Sequence, residues 1–346
     1  IVPTRIFGLM VNYLLDAITL FILMANILER SGIIEDIYHM VYNWLGWLKG
    51  GLATATVVAC TMMAAMAGVV GATEVTMGLI ALPQMLKRKY DKFIALGCIL
   101  GGGTLGILIP PSVMLIVYGM VDNCSIGQLY AGAFLPGFLL SGLFIIYITI
   151  RCYINPSLGP PVPKEERLDW LGLFKVLTPI IPAALLIFLV LGTIIVGIAA
   201  PTEAAGVGCL GAFLIAIFKR RMNFKSLVIA AENTIKASAM VFWSLFGANI
   251  FIALYIMVGG GDFVSGMLLG SGLSPWAVIW IMMGILIFLG MFIDWVGIIM
   301  LTVPLFGPII RQLGFDPIWF GVLFAVNMQM AFLSPPFGFS LFYLKS

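Results

Sequence analysis

From Leu185 to Ala200 the chain carries no charged residue. Long apolar runs of this kind recur, and they do not alternate with period two. A water-soluble fold has nowhere to hide them. Of the 346 residues, 62% are hydrophobic and 10% charged, against about 45–50% and about 25% in a soluble domain. The solvent for most of the chain is therefore lipid. Only helices and closed barrels satisfy their backbone there, and without period-two alternation the barrel is excluded. The expected fold class is an all-α polytopic membrane protein. A net charge of +3 gives no reason to expect a nucleic-acid partner. The five cysteines are scattered without a CxxC pair and read as small packing residues. His39 sits in an amphipathic stretch and reads as interfacial, not as a metal ligand.

Residues 8–28 read as a first span. Residues 32–50 read as an interfacial stretch, with Tyr38, Tyr42, Trp44 and Trp47 at the wet boundary. Residues 51–86 are apolar but interrupted by Gly68, Gly71, Thr73 and Glu74, and 93–121 are broken by Gly106 and Pro110-Pro111. Spans follow at 128–150, 177–198, 204–218 and 226–258, with a polar, Pro-rich loop at 155–169. Residues 276–309 and 317–343 are again long and interrupted. If 51–86 is a hairpin that enters and leaves on one side while 93–121 crosses, 16 of the 18 basic residues share one face; only Arg5 and Arg311 fall opposite. The crowded face is then cytoplasmic.

The chain also repeats itself. Asp91 precedes Pro110-Pro111 by 19 residues, and Asp316 precedes Pro335-Pro336 by 19. Gly68 precedes Pro83 by 15, and Gly290 precedes Pro304 by 14. Each half reads as a re-entrant hairpin, a polar turn and a Pro-Pro-broken helix, and the topology inverts one half against the other. Inverted repeats with discontinuous helices are secondary-transporter architecture. The expected division is residues 1–50 as scaffold helix and interfacial arm, and 51–122 as transport half one (hairpin 51–86, broken helix 93–121). Residues 123–258 are scaffold, and 259–346 transport half two (hairpin 274–309, broken helix 317–343).

A Pro-Pro step removes two N–H donors and frees carbonyls upstream. In lipid those carbonyls need a partner, and a hard cation such as sodium supplies one. Half-helix N-termini beside it suit an anion. The first candidate sodium site is the tip of hairpin one, Gly68, Gly71, Ala72 and Thr73, with Gly106, Pro110 and Ser112. The second is Gly290 and Asp294 with Ser334 and Pro335. Glu74, Pro111, Asn327, Gln329 and Pro336 are candidate substrate contacts. Glu203 opens a span after Pro201 and reads as a first-turn acid favoured by the helix dipole.

Four ordered motifs carry a family resemblance. They are Gly101-Gly102-Gly103-Thr104-Leu105-Gly106-Ile107-Leu108-Ile109-Pro110-Pro111-Ser112, Ala200-Pro201-Thr202-Glu203-Ala204-Ala205, Asp316-Pro317-Ile318-Trp319-Phe320-Gly321 and Leu333-Ser334-Pro335-Pro336-Phe337-Gly338. Together they resemble the DctM-type large membrane subunit of tripartite ATP-independent periplasmic (TRAP) transporters. The resemblance implies an elevator, in which two hairpins and two broken helices slide against a scaffold, with sodium (Na+) as coupling ion. It implies three partners besides the lipid bilayer. They are a periplasmic substrate-binding protein, a small four-helix DctQ-type membrane subunit and an organic-acid substrate. It places the chain in a bacterial inner membrane as a multi-pass protein. The family's Ser-Gly-Ser-Ser-like first tip is replaced by Ala67-Gly68-Val69-Val70-Gly71-Ala72-Thr73, so a sodium-binding hydroxyl is missing there. The matching aspartate of hairpin two is Asp294. The resemblance also implies that a first and a last helix lie outside this sequence, in keeping with the non-methionine start at Ile1. Two rival functions are a passive channel and an intramembrane aspartyl protease. The protease strings Tyr90-Asp91 and Gly259-Gly260-Gly261-Asp262 both occur, but they are expected in turns on opposite faces. No enzymatic activity is expected.

Overall fold

The computed structural model describes residues 2–68 and 70–345. Val69 of the first tip lies outside the described residues, as do the side chains of Val2, Ala67 and Lys345. Helices α1 (Val2–Met10) and α2 (Leu14–Arg30) follow one another with a bend of 54° at the break between them. Helix α3 (Ile33–Leu45) is amphipathic: Glu35 and His39 face out, while Ile33, Ile37 and Val41 are buried. Tyr38 departs from expectation. It is fully buried, with its ring 6.2 Å from that of Tyr42, and does not sit at the wet boundary. Trp47 is exposed.

Helices α4 (Gly51–Ala67) and α5 (Val70–Lys87) fold back on each other. The Leu52 amide, an N-terminal donor with no intrahelical partner, donates to the Tyr90 hydroxyl at 3.2 Å. The start of α4 and the end of α5 therefore share one end of the molecule. Helix α6 (Lys92–Thr104) sets out from that end, capped by Asp91, which accepts from Phe93 N and Ile94 N at 3.0 and 3.1 Å. It tightens into a 3-10 turn at Leu105–Ile107. The chain passes the cis Pro110-Pro111 bond and resumes as α7 (Val113–Asp122).

Next come α8 (Ile126–Ile154), α9 (Trp170–Leu177), α10 (Ile181–Val196), α11 (Pro201–Phe218), α12 (Phe224–Met257) and α13 (Gly260–Leu269). The span expected over 177–198 starts earlier, at Trp170, because Asp169 caps α9 by accepting from Gly172 N at 2.9 Å. Asp262, expected in a turn, lies in the first turn of α13. Helices α14 (Pro275–Gly290) and α15 (Trp295–Gln312) form a second folded-back pair, closed at the base by Trp276 against Phe315 and Trp319, ring centroids 5.1 and 5.8 Å apart. Helix α16 (Pro317–Leu333) is capped by Asp316 through Ile318 N and Trp319 N at 2.6 and 3.1 Å. The cis Pro335-Pro336 bond separates it from α17 (Phe339–Lys345).

Among the described residues, five helices are long and apolar enough to cross a membrane, or six when the bent α1–α2 pair is counted as one span. Helices α4, α6, α7, α14 and α16 are apolar but shorter, 10–17 residues. At 1.5 Å per residue they reach about 15–25 Å, less than the roughly 30 Å of a hydrocarbon core. The chain is a multi-pass membrane protein whose short helices come in two similar sets.

Two contacts fix how those sets face each other. Arg311, at the end of α15, pairs with Asp122 at 3.0 Å, and Tyr118 donates to the Pro317 carbonyl at 3.3 Å. The far end of α7 therefore meets the base of α14–α15. In return, α17 packs on α5 and α6, with Leu344 against Gly78. The paths α6–α7 and α16–α17 run in opposite directions. The basic stretches gather at the α4–α5 base. Lys219 pairs with Asp36, Arg221 donates to Gly32 O, and Arg88 pairs with Glu166. Gly50 N and Asp91 N donate to Gly159 O and Leu158 O at 2.8 and 3.0 Å.

Candidate functional site

Both folded-back pairs end on a Pro-Pro step. At the first tip, Gly68 has φ +60°, and a Cβ there would lie 2.1 Å from the Pro111 carbonyl oxygen. Only glycine fits that conformation and that approach. At the second tip, Phe337 N donates to Met291 O at 3.1 Å, and Gly290 lies against Ala331. Ser112 caps α7: its hydroxyl donates to Ile107 O at 2.5 Å and accepts from Leu115 N at 3.3 Å. Ser334 donates to Met330 O at 2.7 Å.

The two tips open onto one cavity of about 100 Å³. Gly68 and Gly71 reach it from the first pair and Asp294 from the second, with Ile107, Phe332 and Tyr343 from the broken paths. The opposite wall is Ile22 of α2 and Ala237, Met240 and Val241 of α12. Val70, Val113 and Trp295 also line it, and these are the first residues of α5, α7 and α15. Three helix N-termini thus converge on one small space. Each brings N–H groups without an intrahelical partner, some of them capped by Ser112 and Asp294, and roughly half a positive charge. Asp294 supplies the negative counterpart, accepting from Val296 N at 3.3 Å.

Of the residues expected at the two separate sodium sites, Gly68 and Gly71 from the first and Asp294 from the second line this one cavity. Gly106 sits in the 3-10 turn behind Ile107; Pro110 and Pro111 back the first tip. Thr73 is buried beside the cavity and Ala72 half-buried. Pro335 and Pro336 are exposed. The residues expected to touch substrate fare differently. Asn327 donates to Met283 O at 3.0 Å and Gln329 to Ala325 O at 3.4 Å; neither lines the cavity, and the Oδ1 of one and the Oε1 of the other are buried without a hydrogen-bond partner among the described residues. Glu74 is fully buried against Gly103, away from the cavity. Glu203 caps α11, accepting from Ala200 N at 2.9 Å, as its place in the sequence implied. Asp91 of the protease strings is occupied as the α6 cap.

Over residues 1–346 the chain matches the family described as the tripartite ATP-independent periplasmic transporter, DctM component. The chain belongs to this family. This DctM-family chain is 34% identical over 354 residues to the C4-dicarboxylate TRAP transporter large permease protein DctM of Vibrio cholerae, covering 96% of the chain and 77% of that protein. It is 31% identical over 334 residues to the ectoine/5-hydroxyectoine TRAP transporter large permease protein UehC of Ruegeria pomeroyi, covering 95% and 76%. In fold it is similar to the crystal structure of the YdaH transporter of Alcanivorax borkumensis, with a TM-score of 0.64 and 16% identity, covering 95% of this chain and 77% of that one.

Sequence reasoning missed Tyr343 and the α2–α12 wall of the DctM chain. Tyr343 follows the second Pro-Pro step by seven residues, so its place beside the first tip depends on the chain doubling back. The wall residues are plain apolar positions within long spans and carry no local signal.

Proposed function

We propose that this chain is the substrate-translocating subunit of a sodium-coupled secondary transporter for a small organic acid in the bacterial inner membrane. The observation that carries this reading is the convergence of three helix N-termini and one aspartate on a single cavity. The N-termini attract a carboxylate, while Asp294 and the carbonyls freed at the Pro-Pro steps attract sodium. At about 100 Å³ the cavity is smaller than the 300–1,000 Å³ usual for ligand sites, so it opens to load.

The opening is an elevator stroke. The two helix pairs are re-entrant hairpins, and with their broken helices they form inverted repeats and move as a transport domain. The wall of Ile22, Ala237, Met240 and Val241 is apolar and small, which suits sliding because no polar contact has to break there. The stretches 1–50 and 123–258 form the scaffold. A periplasmic binding protein delivers the substrate, and a small DctQ-type membrane subunit braces the scaffold. A passive channel gains no support, because the matched relatives are transporters.

Reconstitution of the full-length protein with both partners tests this. Uptake of an organic acid from a panel is expected only with an inward sodium gradient and with the binding protein present. Uptake at the same rate without sodium would overturn the coupling.

A further inference from the structure

Glu74 is 0% exposed, and neither of its carboxylate oxygens has a hydrogen-bond partner among the described residues. Ser340, also 0% exposed, has an unpartnered hydroxyl as well. The two side chains face each other: the Ser340 hydroxyl is near enough to act on the Glu74 carboxyl, yet outside hydrogen-bond geometry. Gly103 of α6 forms the floor, where a Cβ would lie 2.2 Å from Glu74 Cγ. Two carboxylate oxygens and one hydroxyl are thus held together in the interior, with more acceptor capacity than the single hydroxyl proton can satisfy.

An unpaired buried carboxylate is among the costliest groups a fold can contain, and within a membrane such a residue is kept for function. We infer that Glu74 and Ser340 form a binding site for a small monovalent cation, separate from the cavity where the hairpin tips meet. A cation engages all three oxygens at once. A single hydrogen bond between the pair would leave at least one carboxylate oxygen unpaired. The site joins the two halves of the chain, since Glu74 belongs to α5 and Ser340 to α17. Three residues after Ser340, Tyr343 packs on Gly71 and enters the cavity wall beside Asp294. An ion at Glu74 therefore fastens α17 against hairpin one and sets the position of Tyr343. By linkage, whatever occupies the cavity strengthens the hold on that ion, and the reverse.

Thermal unfolding of the full chain in lipid nanodiscs tests the site, with sodium chloride titrated against choline chloride at constant ionic strength. Wild type is expected to gain stability with sodium and not with choline. Glu74→Gln is expected to lose much of that gain, and to melt above wild type when sodium is absent, because the unpaired charge is gone. Equal sodium gains in wild type and Glu74→Gln would overturn the site, and so would an equal gain from choline. Ser340→Ala keeps the carboxylate and is expected to raise the half-effect sodium concentration severalfold; an unchanged midpoint would count against the site even if Glu74→Gln failed to fold. Asp294→Asn removes the cavity's own ion contact. If it loses part of the sodium gain while Glu74→Gln loses none, the transport reading stands and this site falls.

Discussion

At the scale of the residue, the first hairpin tip depends on one missing side chain. Gly68 combines φ +60° with a Pro111 carbonyl 2.1 Å from where a Cβ would sit. An alanine there is strained twice, by conformation and by contact with backbone that cannot swing aside. Gly68→Ala is expected to lower the unfolding temperature by an amount equal to about 1 kcal/mol or more, and to cut uptake by displacing the tip from Pro111. Differential scanning fluorimetry and uptake read the two effects; unchanged values of both would contradict the tip geometry. Single residues also show where the sequence was readable. Glu203 follows Ala-Pro-Thr, a context in which an acid serves a helix N-terminus, and it does. Tyr38 misled because a tyrosine on an amphipathic helix resembles a boundary anchor. Burial under neighbouring helices is a tertiary fact that no local pattern records.

At the scale of the element, the folded-back pairs were legible because proline and glycine act locally. Their spacing marked two hairpins and two broken helices. Where Asn327 and Gln329 turn was not legible, for the opposite reason. Two amides ahead of a Pro-Pro step look aimed at a ligand, but which face of α16 meets α14 depends on packing. The base of the first hairpin offers a clean test. Leu52 N is a buried helix-start donor whose partner is the Tyr90 hydroxyl. Tyr90→Phe keeps the ring and removes the acceptor, leaving the donor unsatisfied at a cost of about 1–3 kcal/mol. The expected result is a lower unfolding temperature with the sodium dependence of uptake retained. An unshifted unfolding temperature would mean that this bond does not hold the hairpin closed.

At the scale of the whole molecule, the meeting of the two tips could not be read from either half alone. It requires α7 to reach the base of α14–α15 through Arg311 and Asp122, and α17 to return to α5. The gathering of positive charge at one end was readable, because it depends only on which segments cross. The proposed elevator places Val113 on the moving body and Val241 on the fixed one, and both line the cavity. In a variant lacking the five native cysteines, Val113→Cys with Val241→Cys is expected to stop uptake when bridged by a bifunctional crosslinker, and to leave uptake intact in each single variant. Full uptake with the bridge closed would show that the two bodies do not slide.

The central claim is that substrate and sodium meet at the cavity between the tips, with Asp294 as its charged group. The most direct measurement is sodium-driven uptake into proteoliposomes by wild type and Asp294→Ala at equal reconstituted amounts, with binding protein and small subunit present. Loss of a charged contact is worth about 1.5–3 kcal/mol, so the sodium concentration for half-maximal uptake should rise roughly tenfold to a hundredfold. A variant with the wild-type sodium dependence and rate would contradict the placement of the site.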